Sequence, residues 1–199
     1  QNFWEPTNGP HGGFVHAFAF NSSGSIFAGT EAGVYRSTDG GDNWTEINNG
    51  LNIYNKYVLC IAINSTDHIF IGTEEGIFRS TDNGQTWNHI DYGTLATSTQ
   101  ALLINPEGDI FAAVTGIVIR STDDGQTWSG INYGIQGDVL SFAINSQGKI
   151  FAGTDYYGLF ISTDNGNNWT QIYYSPDYTH FTSLAINSNG YIFASSYFG

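Results

Sequence analysis

The sequence predicts an all-β protein assembled from repeats, and three observations carry that reading. The octapeptide Ser-Thr-Asp-x-Gly-x-x-Trp occurs at Ser37–Trp44, Ser80–Trp87, Ser121–Trp128 and Ser162–Trp169, with starts 43, 41 and 41 residues apart. A fixed period of this size marks a repeat architecture. Aromatic residues make up 16% of the chain and glycine numbers 25, the mixture of strand formers and turn formers expected of β structure. No window carries a helical period of apolar residues.

Each unit divides into four short strands. The first is the alternating segment at Phe18-Ala19-Phe20, Ile61-Ala62-Ile63, Leu102-Leu103-Ile104, Phe142-Ala143-Ile144 and Leu184-Ala185-Ile186. A polar turn rich in Asn, Ser, Pro and Gly follows, and these residues supply turn geometry. The second strand carries an Ile-Phe marker at Phe27, Phe70, Phe111, Phe151 and Phe193. After a variable loop, usually ending in Gly, the third strand reads Val34-Tyr35-Arg36 and its equivalents. The octapeptide follows, and a fourth strand is expected from its Trp onward. Four strands in about 40 residues is the spacing of a β-propeller blade.

The box Ser-x-Asp-x-Gly-x-x-Trp resembles that of the Asp-box propellers, the bacterial neuraminidase repeat. The longer string Gly-x-x-Arg-Ser-Thr-Asp-x-Gly-x-x-Trp-Thr-x-Ile is similar to secreted bacterial surface proteins built from such repeats. The resemblance covers nearly the whole chain. It implies a fold and leaves the activity open, because one fold hosts many activities. The box has a structural rationale. Ser37, Ser80, Ser121 and Ser162 open the turn. Asp39, Asp82, Asp123 and Asp164 are expected to accept backbone N–H bonds and close it. Gly41, Gly84, Gly125 and Gly166 permit positive φ. Trp44, Trp87, Trp128 and Trp169 are expected to bury a ring beneath the hairpin. The alternating oxygen ligands and distal acid of a calcium loop are missing.

The expected architecture is one domain over residues 1–199, a five-bladed propeller of four-stranded antiparallel blades. The blades fall at about 14–50, 57–93, 98–134, 138–175 and 180–199 together with 1–9. The Ile-Phe marker of the second strand occurs five times but the box only four. Phe3-Trp4-Glu5-Pro6-Thr7-Asn8-Gly9 resembles Trp44–Gly50, so Phe3–Thr7 is read as the outer strand of blade five, closing the ring and removing edge strands. Blade five then lacks a third strand. It is three-stranded, or the chain is a fragment, or a neighbouring chain donates the strand and makes the seam a self-association site. Small residues at Ala17, Cys60, Ala101, Ser141 and Ser183, with Ala19, Ala62, Leu103, Ala143 and Ala185, share one face by the period of two and are expected to line a narrow central channel.

A formal charge of −13, from 18 acids against 5 bases, argues against nucleic-acid and membrane-surface partners. The longest apolar runs are of strand length, so membrane insertion is not expected. With Cys60 as the one cysteine there is no disulfide framework. The resemblance to sialidases makes glycoside hydrolysis the first enzyme reading, since those enzymes clamp a carboxylate with three arginines. Arg36, Arg79 and Arg120, however, sit at equivalent positions, one per blade, and are read as framework. The acids Glu31, Glu74, Glu75 and Asp155, in the loops after the second strand, are candidates for a β-glucan-cleaving pair, with a solvated acidic rim as the plainer reading. His11, His16, His68, His89 and His180 show no metal-ligand spacing, although His16 and His180 both begin inner strands. No metal and no cofactor is expected. The variable loops carry the candidate ligand site: Tyr54, Tyr57, Tyr92, Tyr133, Tyr156, Tyr157 and Tyr178, beside Asn and Asp, are expected to share one face and to suit sugars or peptides. Sequons at Asn21, Asn43, Asn64 and Asn168 arise from the turns and boxes themselves. The expectation is a non-catalytic, secreted or surface-exposed binding, scaffold or adhesion propeller, self-assembling or bound to another extracellular protein or glycan. A glycoside hydrolase, or a fragment of one, is the alternative.

Overall fold

The computed structural model describes residues 8–11, 13–93, 98–174 and 179–197. Among them there is no helix. The strands form five antiparallel sheets in sequence order. The first holds β1 (Val15–Phe20), β2 (Ile26–Thr30), β3 (Gly33–Ser37) and β4 (Thr45–Glu46). The second holds β5 (Val58–Ile63), β6 (Ile69–Thr73), β7 (Gly76–Ser80) and β8 (Asn88–His89). The third holds β9 (Thr99–Ile104), β10 (Ile110–Val114), β11 (Ile117–Ser121) and β12 (Ser129–Gly130). The fourth holds β13 (Val139–Ile144), β14 (Ile150–Thr154), β15 (Leu159–Ser162) and β16 (Thr170–Tyr173). The fifth pairs β17 (Phe181–Ile186) with β18 (Ile192–Ser196). The chain groups into two compact units, Gln1–Ser98 and Thr99–Gly199. The segment Phe3–Thr7, expected to close the ring, lies outside the described residues.

Each sheet is a meander whose turns are set by side chains. The Asn that ends the first strand accepts the backbone N–H four residues on in all five sheets: Asn21 from Ser25, Asn64 from His68, Asn105 from Asp109, Asn145 from Lys149 and Asn187 from Tyr191. This side-chain cap imitates a backbone turn and fixes the register of the hairpin. The second turn is held by Thr30, Thr73 and Thr154, whose buried hydroxyls donate to the carbonyls of Gly33, Gly76 and Gly158. The fourth strand begins one residue after the Trp and is only two residues long in the first three sheets. One further bond continues it, from Ile47 N–H to Val34 O and from Ile90 N–H to Ile77 O.

The core of each unit lies between its sheets. In the first unit Phe27, Val34, Ile47 and Leu51 of one sheet meet Val58, Ile69, Ile71, Phe78 and Trp87 of the next, with Ile61 and Ile63 packed against them. In the second unit Phe111, Val118 and Ile131 meet Val139, Ile150, Ala152, Phe160 and Trp169.

This packing corrects the expectation that the small inner-strand residues line a channel. The pairings Ala17↔Gly29 and Ser141↔Gly153 put them on the face that meets the following sheet. Ser141 Oγ donates to Phe181 O there at 2.8 Å, and a Cβ on Gly29 would come 2.6 Å from Val58 Cγ1. Small side chains are required because the sheets stack face to face and the inner strands approach most closely.

Candidate functional site

The four boxes share one geometry. The Ser37 hydroxyl donates to Asp39 Oδ1 at 2.8 Å and accepts the Gly41 N–H at 2.9 Å. Asp39 then accepts the Asn43 backbone N–H and, at its other oxygen, the Asn43 side chain. Ser80–Asp82–Thr86, Ser121–Asp123–Thr127 and Ser162–Asp164–Asn168 repeat the arrangement. In the second box φ is 60° at Asn83 and 82° at Gly84, and Gln85 N–H reaches Asp82 O. Two successive positive φ values make the tight turn that matches strand twist. These bonds hold the carboxylates well below the ordinary Asp range. Asp39 lies at about 2, chiefly through the Asn43 N–H, and Asp123 at about 2, chiefly through the Thr127 hydroxyl. The Asn168 side chain lowers Asp164. At Asp82 desolvation pushes upward but is outweighed by Thr86 and Ser80.

The box also joins neighbouring sheets. Trp87 donates its indole N–H to Ile47 O at 2.6 Å and its backbone N–H to Asn49 O at 2.8 Å, both in the preceding sheet. Trp169 does the same with Ile131 O and Tyr133 O. These rings are 3% and 4% exposed. Trp44 and Trp128 differ from the expectation. They are only half-buried, and each indole N–H turns back to its own Gly41 or Gly125 carbonyl. Arg36 donates to Asn83 O at 2.9 Å, and Arg120 to Asn165 O at 2.5 Å, each in the box of the following sheet. Asn21 and Asn105 reach the side chains of the same two residues. In these latches the guanidinium of Arg36 or Arg120 is committed to a carbonyl oxygen of the fold.

The candidate tyrosines fall into two sets, one per unit. In the first unit Asn55 Oδ1 accepts the Asn52 N–H at 2.6 Å and Asn52 Oδ1 accepts the Tyr54 N–H at 2.8 Å. This pins the loop between the first and second sheets. Ile53 and Tyr54 stand out from it, 80% and 71% exposed. Beside them opens a pocket of about 440 Å³ lined by Asn52, Tyr54, Asn55, Glu75, Phe78 and His89. Farther along the loop the Tyr57 hydroxyl donates to Glu31 Oε1 at 3.2 Å, and the Tyr57 ring lies 5.0 Å from His16. Desolvation raises the Tyr57 phenol, and the charges of Glu31 and Glu74 add to the rise. Tyr92 is half-buried, its hydroxyl close to Gly76.

In the second unit Tyr133 is 77% exposed beside a pocket of about 450 Å³ that includes Asn132 and Asn167. Tyr156 meets His180 edge-on at 4.5 Å, and Tyr157 accepts the Gln171 side chain at its carbonyl. Tyr178 lies outside the described residues. Asp155 and Asp138 are tied into the same loops. Asp155 Oδ1 accepts the Asp138 N–H at 2.6 Å and Asp138 Oδ1 the Gly116 N–H at 2.7 Å. Burial pushes Asp155 upward and the Asp138 charge adds to this, while the Asp138 N–H and His180 pull the other way.

Among the described residues no group of three or more His, Cys, Asp or Glu could hold a metal ion, and no helix is long and apolar enough to cross a membrane. The Cys60 thiol is desolvated and pushed up to about 12, against an opposing backbone bond from Gly72. A thiol held there is protonated and a poor nucleophile at neutral pH. Sequence reasoning missed Asn52, Asn55 and His89 as parts of the site. The Asn-x-x-Asn spacing beside Tyr54 was the available signal for the first two.

The family model of Photosynthesis system II assembly factor YCF48 matches residues 1–152. No curated protein matches the chain. Among solved structures, an ancestral GH74 enzyme superposes with a TM-score of 0.77 at 23% identity, over 97% of this chain and 28% of that one. YCF48 bound to D1 peptide superposes with a TM-score of 0.66 at 16% identity, over 92% of this chain and 60% of that one. The extracellular domain of a putative one component system from B. thetaiotaomicron gives 0.64 at 17% identity, over 94% and 31%. The chain thus spans less than two thirds of each of these structures, and at such identities the likeness shows the propeller fold alone. Four boxes on one period, blade-type antiparallel sheets and a family match over residues 1–152 place this chain in the YCF48 photosynthesis system II assembly factor family of Asp-box proteins.

Proposed function

We propose that this chain is a non-catalytic binding module that works outside the cell and holds an extended polypeptide on the loops around Tyr54. The observation that carries the reading is the display of Ile53 and Tyr54. Both are strongly exposed, yet the loop beneath them is fixed by the Asn52 and Asn55 side chains. A rigid aromatic anchor beside an open pocket binds with little loss of conformational entropy. A structural neighbour bound to a peptide, and another that is an extracellular domain, support the kind of partner and the compartment. The test is a peptide array followed by titration of the best peptide. Tyr54→Ala should weaken binding about tenfold or more, as loss of an aromatic hot spot does, with no change in melting temperature. Binding that ignores Tyr54→Ala would refute the reading.

A specific observation favours a second partner, another copy of the chain. Among the described residues β18 pairs only with β17, and Phe193 is 58% exposed where its equivalents Phe27, Phe70 and Phe111 are at 0%. Its edge carries no Lys or Pro to discourage strand addition. Self-association through the fifth sheet should raise the solution mass with concentration, and Phe193→Asp should abolish the rise. The hydrolase reading draws on Glu31, Glu74, Glu75 and Asp155, of which Asp155 already accepts the Asp138 N–H and Glu31 the Tyr57 hydroxyl. Release of reducing sugar from a β-glucan, lost in Asp155→Asn, is the result that would favour it.

A further inference from the structure

The Tyr54 loop shares its surroundings with three carboxylates. Glu75 lines the same pocket as Tyr54 and His89. Its neighbour Glu74 acts electrostatically on the Tyr57 phenol, and Glu31 accepts that phenol's hydrogen bond. The surface of the Asn52–Tyr57 loop thus carries an apolar shelf, Ile53 and Tyr54, and at its far end an acidic corner with two aromatic rings, Tyr57 and His16, ring centroids 5.0 Å apart. Lys56 stands beside this surface, and Glu46 takes it up at 3.4 Å. The asymmetry extends to the whole chain, with 18 acids and 5 bases.

From this arrangement we infer that the segment held at Tyr54 is cationic: an extended peptide that places an apolar side chain against Ile53 and Tyr54 and an Arg or Lys in the corner formed by Glu31, Glu74 and Tyr57. The inference rests on the peptide-binding reading and names its partner's chemistry. Two physical arguments support it. A guanidinium or ammonium against a phenol ring gains from the ring's negative face and from the carboxylates beyond it. A field of one sign also raises the encounter rate with an oppositely charged partner and repels a like-charged one, so it selects as well as binds. The preorganised loop supplies affinity through the apolar shelf, and the acids supply the choice between peptides of similar shape. The same charge pattern disfavours acidic segments and phosphorylated ones.

Two labelled peptides test this: acetyl-Gly-Leu-Arg-Tyr-Arg-Leu-Gly-amide and its twin with citrulline in place of both arginines, which keeps shape and removes charge. Fluorescence anisotropy is read for the full chain at low and at about 1 M salt, where the screening length falls to about 3 Å. The arginine peptide should bind about tenfold more tightly than its twin at low salt and no better at high salt. The double variant Glu31→Gln/Glu74→Gln should bind the arginine peptide no more tightly than its twin, with its melting temperature unchanged. Equal binding of the two peptides, or a preference that survives the double variant, overturns the inference. If both bind alike and Tyr54→Ala still weakens them, the peptide-binding reading stands and only the charge preference falls. If neither peptide binds and no array peptide depends on Tyr54, both fall together.

Discussion

Asp39 shows how much one repeated residue is asked to do. Its two oxygens accept the Ser37 hydroxyl, the Asn43 backbone N–H and the Asn43 side chain, and no water-exposed carboxylate in an unfolded chain has such partners. The native state therefore favours its charged form. The resulting stabilisation is complete above the ordinary Asp value of 3.8 and is lost as the pH falls through about 2. Thermal melts should hold level down to about pH 4 and fall from there toward pH 2, and Asp39→Asn should melt lower at neutral pH but lose less on acidification. Trp87 makes the second residue-scale prediction. Trp87→Ala removes a ring that is 3% exposed and an indole bond to the neighbouring sheet, and should cost about 3–5 kcal/mol in urea unfolding. Trp128→Ala removes a half-buried ring bonded to its own turn and should cost less, about 1–3 kcal/mol. Equal costs would mean that the indole latch between sheets contributes nothing.

At the scale of the element, the sequence announced the strands and most of the turns but not their mutual placement. The markers Ile69-Phe70 and Ile110-Phe111 located the second strands, and the box located the hairpin after the third. The destination of the Trp was not legible, because Trp44 and Trp87 close octapeptides of the same Ser-Thr-Asp-x-Gly-x-x-Trp pattern, and the pattern does not say what stands beside the ring. The channel expected from Ala17 and Ser141 failed for a related reason: period two says which residues share a face, not what the face meets. Gly50 and Gly134 show the same dependence on a neighbour. Gly50 has φ +100°, and a Cβ there would lie 2.2 Å from Trp87 O in the following sheet. Gly50→Ala should therefore destabilise by about 1–3 kcal/mol from backbone strain, with further loss through the displaced Trp87. Gly24, also at positive φ but with open space around its Cβ position, should bear only the strain. Arg36→Ala, which removes a part-buried bond to Asn83 O, should cost about 1–2 kcal/mol and leave ligand binding untouched.

At the scale of the molecule, the repeats and the departures from them have different jobs. Ser37, Asp39, Trp87, Arg36 and the turn asparagines recur because each sheet needs the same turns and the same latches, and their chemistry is consumed within the fold. The candidate site sits where the repeat is interrupted, on the Asn52–Tyr57 loop, which has no copy elsewhere in the chain. Its tyrosines were visible in the sequence as aromatic residues in variable loops. Their division was not: Tyr54 is displayed, Tyr57 is oriented by Glu31 and His16, and Tyr92 is half-buried beside Gly76. Such differences depend on side-chain bonds within each loop rather than on residue type. Amide hydrogen exchange of the full chain, with and without a saturating arginine peptide, tests the account most directly. Added protection is expected at Asn52–Tyr57 and at Glu74–Glu75, with the four box turns unchanged. Protection that appears in the boxes, or nowhere on the Tyr54 loop, would contradict it.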